Sequence, residues 1–526
     1  MLGVDLLVII ILLIPVLFLI YLYIYDRRQK QHSVLRNYPI LGKVRYFLEM
    51  IGPELRQYLF NADNEGKPFS RVDYIHVVKR AKYLRDVIGF GSLKDYEEPG
   101  YYIRNSMFPK QMEEMKYDRE TKVTTYRYVL AQEGLFSRKE PRIKDEACAY
   151  LLDEKDAIVI GEQCKYPFKV RGQIGMSAIS YGSLGDRAIT ALSIGLGKAK
   201  GTWMNTGEGG LSPYHLKGDV DLIMQIGPGL FGVRNEEGEF DWDLLKEKAE
   251  LPQVKAFELK LGQGAKIRGG HIDGEKVTPE IAEIRKVKPY QSIDSPNRFR
   301  EFHDVPSMLN FIDRIRAWTG KPVGIKIVVG SKDAVEELAS YMKSMGTGPD
   351  FITVDGGEGG SGATYQELAD SVGLPQKSAL MITHNTLLRY GVRDRVKIIA
   401  SGKLFSPDRI AIALGMGADL VNIARAFMIT VGCIQALKCQ SNACPVGVAT
   451  TDPHLQKALV IEEKSYRVVN YVISMREGLY RVAASAGIDS PVHFNKHHVI
   501  YKDEKGIVTS LEEVTQKMFP SSQVLN

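Results

Sequence analysis

Cysteine is scarce in this chain, five among 526 residues, and the net charge is small, +6 from 69 basic and 63 acidic side chains. The charges are scattered, and no basic stripe alternates with aromatic residues, so the chain carries no footprint for nucleic acid. No internal repeat and no low-complexity tract is present, which leaves out solenoid arrays and unfolded spacers. No GxGxxG opens a helix with an acidic residue about twenty positions later, which weighs against a doubly wound dinucleotide fold. What remains, 44% hydrophobic and 25% charged residues, is the balance of a globular protein with room for two or three structural regions.

The few cysteines are unevenly spread. Cys433, Cys439 and Cys444 fall within twelve residues in GCIQALKCQSNACPVGVAT. Thiolates this close repel one another unless a metal or a bond neutralises them. Zinc recruits four ligands, whereas an iron–sulfur cluster needs one thiolate for each iron it holds. Three thiolates without a nearby fourth suggest a three-iron cluster and one-electron traffic. The alternatives are buried inert thiols or a zinc loop with His454 as fourth ligand. A disulfide is disfavoured because the N-terminus points to the cytoplasm, where thiols stay reduced.

That N-terminus holds twenty uncharged, almost wholly apolar residues at 6–25, LLVIIILLIPVLFLIYLYIY. At 1.5 Å per residue they reach about 30 Å, the hydrocarbon thickness of a bilayer. Tyr21, Tyr23 and Tyr25 suit an interfacial belt, and Arg27, Arg28 and Lys30 follow, while no lysine or arginine precedes. The expectation is an uncleaved single-pass anchor in the cell membrane with the catalytic part cytoplasmic. A signal peptide would have a shorter apolar core, basic residues first and a small-residue cleavage site.

The centre is periodic. VGIKIVV, FITVDGG, VKIIASG and DLVNIAR are apolar runs of strand length followed by glycines or helical patterns. KVRGQIGMSAIS, GTWMNTGEGG and AFELKLGQGAK add earlier candidates. Strand, glycine loop and helix recurring every 25–45 residues predict parallel βα units closing into a barrel. The fold class is therefore α/β, a (β/α)8 TIM-type barrel with an N-terminal transmembrane helix and a small α+β N-terminal extension. Phosphate sites in such barrels follow the seventh and eighth strands, which singles out Gly402 for close backbone approach and Arg425 for charge. Lys326 interrupts an apolar strand and must be paired or functional if buried. Beneath a flavin it could stabilise negative charge on the reduced ring. Its plainer reading is a lysine reaching out to solvent.

From about 175 to 455 the chain resembles the flavin-binding synthase domain of the glutamate synthase large subunit. SAISYGS (177–183), NTGEGG (205–210), LGQGAKIRGG (261–270), DGGEGGSGA (355–363), THNTL (383–387) and the cysteine run carry the resemblance, in the family's order. It implies FMN and a 3Fe-4S cluster, the latter held by Cys433, Cys439 and Cys444. Ser177, Ser180, Asn205, Gly207, Gln263, Lys326, Gly359, Gly360, Gly402 and Arg425 would then bind FMN. Glu208, Gln263, Lys266 and Lys276 would bind 2-oxoglutarate, with Glu208, Lys266 and Lys326 catalytic and Glu208 managing protons. Lys260 is the weaker candidate, equally a surface lysine at a strand end, and His384 reads as a core histidine.

The implied reaction condenses 2-oxoglutarate with ammonia to 2-iminoglutarate and reduces it to L-glutamate. The family's complete enzyme begins with a glutamine amidotransferase domain, and neither Cys148 nor Cys164 is placed as its nucleophile. Ammonia would come from solution or a separate glutaminase, and electrons from another protein. The expected domains are an anchor at 1–26, a juxtamembrane and α+β extension at 27–165, the barrel with its iron–sulfur loop at 166–460, and a helical extension at 461–526. Two rivals stand beside this reading: an FMN barrel oxidoreductase for another 2-oxo, hydroxy or amino acid, and a non-catalytic subunit that retains the cofactors.

Overall fold

The computed structural model describes all residues except Met1, Asp86, 130–140, Ala265, 267–269 and 520–526, with side chains from residue 12 onward. Two compact units divide at residue 75. The first begins with the helix Leu2–Arg28, which contains Pro15, and continues through the helix Gly42–Leu55. The Asp26 carboxylate joins them, accepting from Lys43 Nζ at 2.8 Å and the Ile40 N–H at 2.9 Å. Among the residues searched, no helix is long and apolar enough to cross a membrane. The side chains of residues 6–11, the first part of the expected span, lie outside those described.

The second unit is built on a closed barrel of eight parallel strands. They are β1 (Ile174–Met176), β2 (Trp203–Asn205), β3 (Asp221–Ile226), β4 (Val254–Lys260), β5 (Val323–Val328), β6 (Phe351–Asp355), β7 (Lys397–Ser401) and β8 (Leu420–Ile423). Each pairs with its neighbour in chain order, and β8 closes on β1 with Val421 opposite Ile174. Near-continuous apolar runs suit strands covered on both faces. Seven helices follow strands as α1 (Asp186–Ala199), α2 (Trp242–Glu250), α3 (Val305–Thr319), α4 (Lys332–Met345), α5 (Gln376–Arg389), α6 (Pro407–Gly415) and the short α7 (Arg425–Thr430).

The strict alternation expected from the sequence is broken once. No helix follows β2, because residues 206–220 carry Gly207, Gly209, Gly210, Pro213 and Gly218, which cannot sustain one. The long helix α8 (Ile461–Ser485), beyond the expected barrel limit, packs on α1 and α6. A Cβ at Gly195 of α1 would stand 2.6 Å from Val468, and one at Gly478 would stand 2.5 Å from Pro407 of α6. Glycine at both crossings lets the axes approach. Buried Arg476 adds bonds to the carbonyls of Ala149 at 3.1 Å, Ala199 at 3.0 Å and Lys200 at 2.6 Å. The strand pair Lys122–Tyr128 and Arg142–Cys148 also rests on α8, with Val123 against Val469 and Ile473.

At the N-terminal end of the barrel an antiparallel pair, Ile158–Ile160 with Phe168–Val170, forms a plug. Ile160, Phe168 and Val170 pack on Trp203, Ile223, Ala256, Phe351, Ile399 and Leu420. This apolar floor leaves the opposite end as the place for polar chemistry. Two large rings fit into the floor only because their neighbours lack side chains: a Cβ at Gly175 would fall 2.0 Å from the Trp203 ring, and one at Gly324 2.5 Å from the Phe351 ring. Gly324→Ala is therefore expected to destabilise the fold by about 1–3 kcal/mol through overpacking. A lowered urea midpoint checks this, and an unchanged midpoint contradicts the packing described.

Candidate active site at the barrel mouth

Side chains alternate along each strand, so inward positions form layers. In β4, Ala256 lies in the floor, Glu258 above it and Lys260 at the top. In β6 the order is Phe351, Thr353 and Asp355. The layers change from apolar through hydrogen-bonded to charged, and the charged one opens at the strand C-termini.

Glu208 is the centre of that charged layer. Its Oε1 meets Lys260 Nζ at 2.5 Å and Lys266 Nζ at 3.6 Å. Its Oε2 is buried without a hydrogen-bond partner. Bare backbone flanks both oxygens, since a Cβ at Gly270 would lie 2.5 Å from Oε1 and one at Gly227 2.5 Å from Oε2. Burial pushes the carboxyl up, but Lys260 and Lys266 outweigh it and hold Glu208 at about 2. Burial lowers Lys260 to about 8 despite its bond to Glu208, and the neighbouring ammonium groups of Lys266 and Lys326 add to that. Lys260 is only 3% exposed; it is a member of the site and not a surface lysine.

Arg285, at the end of the short helix Pro279–Arg285, also reaches this cluster. It is buried, lies 5.3 Å from the Phe231 ring centroid, and donates to the Tyr181 carbonyl at 3.0 Å. Burial lowers it to about 10, opposed by the charge of Glu208, and its Nε has no partner.

The second half of the mouth comes from β5 to β8. Lys326 Nζ pairs with Asp355 at 3.3 Å, both buried. Asp355 also accepts from the Gly264 N–H at 3.0 Å, while Gln263 donates to the Gly360 carbonyl at 2.7 Å. The loops after β4 and β6 are thereby tied together. Arg425 donates to the Glu358 carbonyl at 2.7 Å, with its stem against Gly360. Gly402 has φ +139°, a region L side chains rarely adopt, and a Cβ there would lie 2.9 Å from Gln376. Buried Gln376 Nε2 beside it has no partner.

On the β1 and β2 side, Ser177 N–H bonds the Ile423 carbonyl at 2.9 Å, and the Ser180 and Ser183 hydroxyls lie 3.0 Å apart. A Cβ at Gly207 would stand 2.6 Å from Ser180 N, and Gly207 N–H donates to Asn205 Oδ1 at 3.0 Å.

Lys276 stands elsewhere. Its buried ammonium donates to the carbonyls of Cys439 at 3.0 Å, Ala449 at 3.2 Å and Ser183 at 3.3 Å. Three acceptors occupy its three N–H groups, so it fastens the cysteine loop and has no donor left for a substrate carboxylate. Its place among the expected substrate ligands is corrected accordingly. His384 is a core histidine: Nδ1 accepts from Arg393 at 3.1 Å, and burial pushes it down to about 4.

Cys433, Cys439 and Cys444 are free thiols, the last one buried. Burial raises Cys433 to about 11, and burial with the neighbouring Cys444 raises Cys439. Among the described residues, no group of three or more His, Cys, Asp or Glu side chains is placed to hold a metal ion.

Arg285, Gln376 and Glu258 were missed in the sequence. Glu258 was findable by the argument applied to Lys326, because it interrupts the apolar strand AFELKL. Arg285 and Gln376 carry no local signal; only the fold brings them to the mouth.

Residues 110–489 match the conserved region in glutamate synthase. Over 505 residues, 96% of both chains, the sequence is 57% identical to the glutamate synthase large subunit-like protein YerD of Bacillus subtilis (strain 168). It is 31% identical over 358 residues to the archaeal-type glutamate synthase (NADPH) of Thermotoga sp. (strain RQ2), covering 67% of this chain and 66% of that protein. Against the glutamate synthase (NADPH) large chain of Bacillus subtilis (strain 168) it is 29% identical over 317 residues, 59% of this chain and 20% of that one. With the motif loops gathered at the mouth of one barrel and the match running through most of the sequence, the chain belongs to the glutamate synthase family, whose members are oxidoreductases acting on the CH–NH2 group of donors.

Proposed function

We propose that this chain forms L-glutamate from 2-oxoglutarate and ammonia through 2-iminoglutarate. The charge balance of the mouth carries the reading. Lys260, Lys266 and Arg285 converge there on the single carboxylate of Glu208, three cations to one anion, which leaves two positive charges around it unbalanced. A 2-oxo dicarboxylate brings two negative ones. Lys266 and Arg285 are positioned for its carboxylates, with Gln263 beside them.

The residues present fit FMN. The unpartnered Gln376 Nε2, the bare backbone at Gly359 and Gly360, and the conformation of Gly402 form a cradle that side chains would fill. Ser177, Ser180, Asn205, Gly207, Gln263, Lys326, Gly359, Gly360, Gly402 and Arg425 would hold it. When bound, FMN supplies the hydride that reduces the imine carbon.

The side chains manage nitrogen and protons. Glu208 stays a carboxylate, and its free Oε2 accepts an N–H from ammonia and fixes the positive charge that develops on nitrogen. The proton role expected of Glu208 passes to Lys260, whose value of about 8 lies close to neutrality. Lys260 gives a proton to the departing hydroxyl and takes one from nitrogen as the imine forms.

Cys433, Cys439 and Cys444 are assigned to a 3Fe-4S cluster that relays electrons singly from a separate donor protein. Support comes from their free thiols, their mutual electrostatic influence and Lys276 fastening the loop to Ser183. The helix Leu2–Arg28 is assigned as a membrane anchor with the catalytic part cytoplasmic, supported by its exposed apolar side chains and the arginines in its last turn.

One preparation tests these assignments: the full chain, extracted from membranes and supplied with a chemical reductant. It should form L-glutamate from 2-oxoglutarate and ammonia. Glu208→Gln should lower kcat by about 100-fold or more. The wild type should carry FMN and about three iron atoms per chain, and Cys439→Ser should lose the iron while keeping the flavin. Turnover of hydroxy acids without glutamate formation contradicts the reaction. Zinc in place of iron contradicts the cluster, and recovery in the soluble fraction contradicts the anchor.

A further inference from the structure

Glu258 is fully buried in the middle layer of the barrel, and the chemistry above does not use it. Its three bonding partners are neutral. Oε1 accepts from Asn205 Nδ2 at 2.8 Å and Gln225 Nε2 at 2.7 Å, and Oε2 accepts from the Thr353 hydroxyl. A buried carboxylate with only neutral partners is costly compared with an apolar side chain of similar size. What it gains is control over the direction of two amides.

We propose that Glu258 is a positioning residue: it fixes the turn at Asn205, Thr206 and Gly207 and thereby aims Glu208. As an acceptor in all its bonds, it draws the NH2 groups of both amides toward itself. Asn205 must then turn its oxygen outward, where it accepts from the Gly207 N–H at 3.0 Å. With the amide reversed, two donors would face each other and the turn would lose that bond.

Gln225 acts on the same turn. Its backbone N–H donates to Thr206 Oγ1 at 3.1 Å, and that hydroxyl donates to the Gly207 carbonyl at 3.1 Å. Gly207 has φ +69° and lies hard against Ser180, so the turn has little space for another conformation. Glu208 is the next residue, and its contact with Lys260 is short. An error of about 1 Å in such a group can lower the rate by about 100-fold.

This inference rests on the reading of Glu208 as the carboxylate of the reacting centre. It is tested in the full chain by Asn205→Asp, Glu258→Gln and the double variant, all close to isosteric. Asn205→Asp sets two acceptors against each other. Its kcat for glutamate formation, expressed per bound flavin, should fall about 10- to 100-fold, with KM for 2-oxoglutarate within about threefold. Its crystal structure should show the Glu208 carboxylate displaced by about 1 Å.

Glu258→Gln can still present an oxygen to both amides and should stay within about threefold of the parent. In the double variant the new glutamine donates to the new aspartate, whose second oxygen accepts from Gly207. It should regain about tenfold over Asn205→Asp and return Glu208 to its place. Parental kcat and an unmoved Glu208 in Asn205→Asp would overturn the proposal, as would a double variant no better than the single one. A parent that forms no glutamate counts against the proposed reaction instead, and the position of Glu208 then decides the positioning role by itself.

Discussion

The contact between Glu208 and the buried Lys260, at 2.5 Å, is the constraint around which the mouth of this barrel is arranged. Removing one partner of such a buried pair leaves an uncompensated charge, at a cost of about 3–5 kcal/mol. Each charged side chain there has consequently recruited others: Lys266 shares the same carboxylate oxygen, Arg285 lies within its field, and Lys326 answers to Asp355. The apolar floor of Trp203 and Phe351 matters to this balance. It keeps the region below dry, so that each charge acts over a longer range than it would in water.

The long excursion between β4 and β5 joins two chemistries. It supplies Lys266 and Arg285 to the pocket and, between them in sequence, Lys276 to the cysteine loop. Lys276 also bonds the carbonyl of Ser183, in the loop that follows β1. Three backbone segments therefore share one ammonium. This shared cation is a simple mechanical means of holding those loops at fixed separation.

Much of the architecture was legible because barrel strands covered on both faces read as apolar runs ending in glycine. VGIKIV, FITVD and KIIAS could be placed on that pattern alone. The absent helix after β2 was also written in the sequence, in the glycines and proline of 206–218, but the regular period of the barrel obscured it. The place of α8 was not legible: its fit depends on Gly195 meeting Val468 and Gly478 meeting Pro407, partners that lie far apart in sequence. The same holds for the site. Glu208 and Lys266 sit in motif loops and could be named, whereas Lys260 looked like a strand-end lysine because only the closed barrel takes it out of solvent. Lys276 is a related case. Its charge suits a dicarboxylate, yet the three carbonyls that claim it come from loops distant in sequence.

The central claim is that Lys260, Lys266 and Arg285 leave two positive charges unbalanced around Glu208, placed for a dicarboxylate. Calorimetric titration of the FMN-loaded full chain with 2-oxoglutarate and with 2-oxobutyrate, which lacks the second carboxylate, tests it most directly. The account predicts that 2-oxoglutarate binds at least about 10- to 100-fold more tightly, the loss expected for one charge-assisted hydrogen-bonded carboxylate. It also predicts that this preference shrinks as pH rises through about 8, where Lys260 gives up its charge. Equal affinity for the two acids at neutral pH would contradict it.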